Sequence, residues 1–293
     1  MNIDGKKCAV ALNLETKEKV DLIRSQHGIT PALAVVLVGQ DPASQVYVRN
    51  KVMQAESVGI ISIERKMSAE TTTEQLLAVV NELNNAPSVN GILVQLPLPK
   101  QIEESLIIEA IAAEKDVDGF HEINSGRLLN GDKRAMVPCT PQGCVILAKT
   151  ALGADLRGKH AIVIGRSNIV GKPLGMLLLR ENCSVTIVHS HTRNIEDICK
   201  QADILFVAVG RANMVKAGWV KPGATVIDVG INRIDVGEGR SRLVGDVDFD
   251  DVAPVAAHIT PVPGGVGPMT IACLLKNTIV AACNQNNLNI PFE

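Results

Sequence analysis

Short apolar runs rich in valine and isoleucine recur along the chain, and a segment of helical periodicity follows almost every one. The runs cover 34–38, 59–63, 91–94, 161–164, 185–188, 204–207 and 225–229. Each is continuous rather than alternating, as a strand buried on both faces should be. The helical segments cover 6–27, 43–58, 73–85, 103–112, 141–152, 170–181, 195–201 and 269–284. A chain that alternates in this way folds as an α/β protein with mostly parallel sheets. Thr72 or Thr73 is placed to cap the helix at 73–85, and Gly28 to end the first helix. At 293 residues the chain is long enough for two domains.

The alternation falters twice. From 115 to 140 no strand is predicted, but Gly119, Gly126, Gly131 and Pro138 interrupt the chain. This stretch reads as an active-site loop followed by a domain linker. From 259 to 268 the run TPVPGGVGP reads as irregular, because proline supplies no backbone donor and glycine breaks either element. The helix entered through that rigid run is expected to return to the first domain, making that domain discontinuous.

Composition removes several classes of function. Lys and Arg number 29 against 31 Asp and Glu, with one Trp, one Tyr and four Phe. A nucleic-acid protein would need a basic patch and stacking aromatics, and neither is available. No long uninterrupted apolar stretch marks a membrane span. The first twenty residues carry early acidic side chains and no apolar run, unlike a secretory signal. Seven scattered cysteines without a C-x-x-C read as free thiols in a reducing cytoplasm.

After the strand HAIVIG comes GRSNIVGKPLG, residues 165–175. Gly165 allows a tight turn, Gly171 lets a helix approach the strand, and the helix N-terminus faces outward, where it suits a pyrophosphate. The spacing is not G-x-G-x-x-G, and a ligand-free βα turn is the alternative. The next strand narrows the choice. NAD sites carry an acid about 20 residues on, for the ribose 2′-hydroxyl. Here that strand ends in His189, Ser190, His191, Thr192 and Arg193, with no acid. With Arg166 in the turn, this set attracts a 2′-phosphate and points to NADP. His189 and His191 have no third ligand at motif spacing, so no metal is expected.

Other motifs carry candidate chemistry. In YVRNK, Tyr47 and Lys51 share one helix face. A lysine beside polar groups in a partly dry cleft suits proton transfer; an exposed lysine next to a packed tyrosine is the alternative. A Tyr-x-x-x-Lys pair also serves short-chain dehydrogenases, but there it follows the nucleotide motif, and here it precedes it. GILVQLPLPK ends a buried strand in Gln95, at the carboxyl end where open α/β sheets bind ligands. EKDVDGFH places two aspartates in a loop, and Asp118 before Gly119 has a turn-making reading as well as a chemical one.

Taken in order, YVRNK, VQLPLP, KDVDGFH, GRSNIVGKP and TPVPGGVGPMT closely resemble the bifunctional methylenetetrahydrofolate dehydrogenase/methenyltetrahydrofolate cyclohydrolase family. The resemblance runs from IDGKK to PGGVGPMT. It implies two α/β domains around a cleft: a folate-binding catalytic domain (1–139 with 269–293) and a Rossmann-type NADP-binding domain (140–268). It implies Lys51 as the catalytic lysine, Gln95 as its partner, Tyr47 as the folate-stacking ring and Asp118 as the pterin anchor. Val94, Leu96, Pro263, Gly264 and Gly265 match further substrate positions. Thr140, Gly165, Arg166, Ser167, Ile169, His189, Ser190 and Ile231 match NADP positions. The implied reactions are NADP-dependent oxidation of 5,10-methylenetetrahydrofolate and hydrolysis of the methenyl product to 10-formyltetrahydrofolate. The implied assembly is a homodimer through the nucleotide domain.

Overall fold

The computed structural model describes residues 1–237 and 240–290. The chain divides into two compact units, one of residues 1–10 with 138–270 and one of residues 11–137 with 271–293. Both are discontinuous, because α1 (Gly5–His27) and α10 (Val266–Gln285) each contribute to both. Sequence reasoning assigned the first ten residues to the other unit. They join the 138–270 unit because Ile3 N–H donates to Ile259 O (2.8 Å) and Ile259 N–H donates to Met1 O (3.1 Å). Gly5 is equally committed: a Cβ there would lie 1.9 Å from Gly265 O.

The 11–137 unit is built on a parallel sheet of order β2-β1-β3, with β1 at Ala32–Val38, β2 at Ile61–Met67 and β3 at Gly91–Val94. All seven residues of β1 are buried, which accounts for its unbroken apolar run. Against it pack α2 (Pro42–Ser57), α3 (Thr73–Asn85) and α4 (Glu104–Ala110), with Leu76, Val80, Leu83, Ile92 and Ile107 in one cluster. Thr72 and Gln75 close a capping box at the start of α3, and Gly28 ends α1 at φ 67°.

The 138–270 unit holds a five-stranded parallel sheet of order β10-β7-β6-β4-β5. Its strands are β4 (His160–Ile164), β5 (Ser184–Val188), β6 (Ile204–Val207), β7 (Thr225–Asp228) and β10 (His258–Ile259). Helices α6 (Cys139–Leu152), α7 (Gly171–Arg180), α8 (Ile195–Cys199) and α9 (Phe249–Val252) complete it, with a hairpin of β8 (Asn232–Asp235) and β9 (Ser241–Val244). Strand order reverses between β4 and β6, the switch point where doubly wound sheets bind ligands.

Two irregular stretches contain more structure than expected. The 115–140 stretch holds α5 (Glu122–Leu129). Its interior has Asn, Ser and Gly, and its cap is the His121 ring, whose Nδ1 accepts from Ile123 N–H, so the usual start signals are missing. The TPVPGGVGP run is not irregular to its end, since α10 begins at Val266. Pro268 is tolerated there because first-turn amides have no intrahelical acceptor to lose. By length and apolar composition α10 could cross a membrane, yet most of it is buried within the fold.

Lys115 shows how tightly the loop after α4 is held. Its buried ammonium donates to Leu83 O, Asn84 O and Ala86 O (2.8–3.2 Å), at the negative end of the α3 dipole. Burial pulls its pKa down, and neighbouring Glu114 pushes back. Lys115→Met should leave these carbonyls without a charged donor and cost about 2–4 kcal/mol. The check is the urea unfolding midpoint at unchanged slope.

Candidate active site

Helix α2 starts at Asp41, whose carboxylate accepts Ser44 N–H (2.7 Å), with Pro42 in the first turn. That start sets the face carrying Tyr47 and Lys51. Lys51 Nζ donates to Gln95 Oε1 at 2.9 Å. Gln95 Nε2 donates to Leu96 O at 2.6 Å, so its amide is turned with the oxygen toward the lysine. Gln95 directly follows β3, and its N–H donates to Val36 O of β1 (2.9 Å), so the strand end sets its position. An ammonium has three donors, so this one bond leaves others for a substrate. Tyr47, one turn before Lys51, is 39% exposed.

Asp118 reaches the same end of the sheet by a different route. A parallel bridge between Ile92 and Asp116 runs its segment alongside β3 toward the carboxyl end. Gly91 permits this approach, since a Cβ there would lie 2.6 Å from Val117 Cγ1. Asn277 of α10 donates to Val117 O (2.8 Å) and Val137 O (2.9 Å), tying the segment to the returning helix.

Sequence reasoning missed Asp116, and it gave the turn-making alternative to Asp118. Asp116 makes a turn of its own. Its buried carboxylate accepts N–H bonds from Gly119 (3.0 Å), Phe120 (3.2 Å) and His121 (2.9 Å), and from Asn124 Nδ2 (2.9 Å). The signal was present, because an aspartate three residues before a glycine fits a side-chain-to-backbone turn.

In the other unit, Pro263, Gly264 and Gly265 follow β10. The Val262–Pro263 peptide is cis and Gly264 has φ 107°. A Cβ on Gly265 would lie 2.6 Å from Pro261 O, and the Lys6 side chain lies over Gly264. Ile231, 45% exposed, packs near this segment: its Cδ1 would be 3.6 Å from a Cβ on Gly267. Thr140 Oγ1 pairs with Thr270 Oγ1 (3.0 Å), joining α6 to α10.

The glycine turn after β4 has the form expected for a phosphate cradle. Gly165 has φ 121°, and a Cβ on it would lie 2.2 Å from Ala208 O. A Cβ on Gly171 would lie 2.2 Å from Gly165 O, so the first turn of α7 sits directly on the loop. Ser167 Oγ accepts Val170 N–H (3.1 Å) and Gly171 N–H (3.3 Å). Ile169 is exposed beside it. At the end of β5, His189 N–H donates to Thr192 Oγ1 (2.9 Å) and His191 N–H donates to His189 Nδ1 (3.2 Å). Loss of hydration, then the Arg166 and His191 charges, hold the His189 pKa below its usual value. Arg166 therefore acts on the end of β5, where Ser190 is exposed. Arg166 beside a strand end whose residues 189–193 include no acid fits a nucleotide bearing a 2′-phosphate. Among the described residues no group of three His, Cys, Asp or Glu side chains is placed to hold a metal ion.

Comparison with known proteins finds one family in both parts of the chain. Residues 3–118 match the family model for the tetrahydrofolate dehydrogenase/cyclohydrolase catalytic domain, and residues 138–286 match that for its NAD(P)-binding domain. The chain is 58% identical over 292 residues to Bifunctional protein FolD 1 of Roseobacter denitrificans, covering 99% of this chain and 97% of that protein. The crystal structure of the bifunctional enzyme FolD, methylenetetrahydrofolate dehydrogenase/cyclohydrolase, from Campylobacter jejuni superposes with a TM-score of 0.92 at 46% identity, covering 97% of this chain and 99% of that one. The Trypanosoma brucei dehydrogenase-cyclohydrolase, solved with NADP cofactor and an inhibitor, has a TM-score of 0.90 at 38% identity, with 96% of each chain covered.

Asp116→Asn would turn one acceptor oxygen into a donor facing backbone N–H groups. The amides of Gly119, Phe120 and His121 should exchange with deuterium at least about tenfold faster, a loss of roughly 1.4 kcal/mol or more in local protection. Exchange-resolved mass spectrometry of the 117–124 segment measures this.

Proposed function

The chain belongs to the tetrahydrofolate dehydrogenase/cyclohydrolase family, and from that premise we propose how its residues carry the two reactions. It is an NADP-dependent enzyme that oxidises 5,10-methylenetetrahydrofolate to 5,10-methenyltetrahydrofolate and hydrolyses the product to 10-formyltetrahydrofolate. The observation that carries the assignment of roles is the Lys51–Gln95 hydrogen bond, with the glutamine amide turned by Leu96 O.

When bound, NADP would supply the acceptor for the hydride of the methylene carbon. The chain's part in that step is positioning. Gly165 and Gly171 let the backbone come close to the phosphates at the positive end of the α7 dipole, while Ser167 takes the first-turn amides of Val170, Gly171 and Lys172. Arg166, His189 and Ser190 recognise the 2′-phosphate, with Thr140, Ser167, Ile169 and Ile231 lining the remainder. Tyr47 stacks on the folate, Asp118 accepts from the pterin N–H groups, and Val94, Leu96, Pro263, Gly264 and Gly265 border the substrate. No acid or base is needed for hydride loss, because the folate nitrogens stabilise the cation formed.

Hydrolysis needs proton transfers. Water adds to the methenyl carbon and releases a proton. The bond from that carbon to N5 then breaks, N5 gains a proton and the hydroxyl loses one to become the formyl oxygen, for a net release of one proton. Lys51 is the group that moves these protons, held by Gln95. The Tyr47 face stabilises the cationic ring by about 1–2 kcal/mol where water is excluded.

The folate half is read as residues 1–139 with 269–293 and the NADP half as 140–268, apart from the N-terminal residues noted above. The enzyme is read as a homodimer assembled through the nucleotide half, on the family resemblance. A cytoplasmic location suits seven free thiols, six of them buried.

Lys51→Met should lower methenyl hydrolysis by at least about a hundredfold while the NADP dissociation constant stays within about twofold. Normal hydrolysis in a stopped-flow absorbance assay would overturn the Lys51 role. Arg166→Ala should raise the KM for NADP by on the order of tenfold and leave that for NAD nearly unchanged. Equal rises for both nucleotides would mean that Arg166 does not read the 2′-phosphate.

A further inference from the structure

Two buried aspartates outside the residues assigned above organise the loops on the far side of the switch point. The first is Asp246, fully buried after β9. Its Oδ2 accepts Val209 N–H (2.7 Å) and Gly210 N–H (2.9 Å), and its Oδ1 accepts Arg211 N–H (2.8 Å) and Asn232 Nδ2–H (2.8 Å). One carboxylate thus gathers three consecutive amides of the loop after β6 and a side chain from the start of β8, beside Ile231. The second is Asp228, at the end of β7. Its Oδ1 accepts Gly230 N–H (3.0 Å) and Asp246 N–H (2.9 Å), and its Oδ2 accepts Val247 N–H (2.9 Å).

Glycines make this packing possible. A Cβ on Gly230 would lie 2.2 Å from the Asp246 carboxyl, and one on Gly245 would lie 1.7 Å from Asp228 Oδ2. Burial pushes the Asp228 carboxyl up to about 7, against the backbone donors that pull it down. Burying two neighbouring carboxylates is costly, and the N–H donors offset that cost only while every loop amide stays in place.

The location gives the arrangement a purpose. In a doubly wound sheet a dinucleotide lies across the switch point, one half on each side. The glycine turn after β4 and the end of β5 take the adenosine half, which leaves the loops after β6 and β7 for the nicotinamide half. Those loops have few ladder partners, so another acceptor must hold their amides.

We propose that Asp246 is a positioning residue for the dehydrogenase reaction: its carboxylate fixes the two loops that receive the nicotinamide half of the cofactor, and Asp228 holds Asp246 in place. This rests on the NADP reading above. It predicts that the two activities of the one enzyme, and the two halves of the one cofactor, separate on substitution.

The test uses the full-length chain with Asp246→Asn. NADPH affinity, read by fluorescence titration, should fall on the order of tenfold, and the KM for NADP should rise to match. Binding of adenosine 2′,5′-bisphosphate, which lacks the nicotinamide half, and methenyl hydrolysis without NADP should stay within about twofold. NADPH affinity within about twofold of the parent would overturn the proposal, as would parallel loss of bisphosphate binding. A parent protein that binds neither nucleotide would instead overturn the NADP reading beneath it. If Asp246→Asn does not fold, Asn232→Ala decides, because it removes a single donor. A fall of about threefold in NADPH affinity with unchanged bisphosphate binding supports the role, and unchanged NADPH affinity overturns it.

Discussion

Buried carboxylates that gather backbone N–H groups hold the loops of both candidate half-sites. At the carboxyl end of a parallel sheet the chain leaves its ladder, and its amides need acceptors that are neither strand nor water. Asp116 supplies them beside β3, and Asp246 with Asp228 supplies them beside β6 and β7. The two oxygens of a carboxyl group accept several bonds at once. Such bonds hold a loop in one arrangement, which is what a site built on loops requires.

The proposed reactions make unequal demands on this frame. Hydride transfer needs two reacting carbons held near contact, so its protein contribution is geometric. Hydrolysis needs a proton carrier, and Lys51 is the group for which the fold provides a partner. The Gln95 amide is oriented by its own backbone neighbour, Leu96 O, and the lysine is thereby set by β3 rather than by its own helix alone.

Much of the architecture could be read before any coordinates. The segments 91–94 and 204–207 are strands at those limits, and 73–85 is a helix at those limits. Short runs of Val and Ile buried on both faces leave little choice of structure. What escaped reading was held by tertiary contacts. Helix α5 is capped by a histidine ring, the half-exposed β8–β9 hairpin carries charged side chains, and β10 is two residues long. None of these produces a strong periodic signal. The final helix begins three residues before the sequence limit, inside a Gly–Pro run, because only its first-turn amides lie there.

Local patterns by themselves determined the α/β class, the glycine turn, the acid-free end of β5 and the order of motifs that identifies the family. Those properties depend on short stretches whose preferences survive in any context. Tertiary structure decided that Asp116 gathers the amides of residues 119–121, which residues join the first ten to the 138–270 unit, and how the Gln95 amide turns toward Lys51. It also placed Asp246 against three amides some 35 residues away in the chain. No periodicity encodes such pairings. They form because a buried charge must find donors wherever the packed chain provides them.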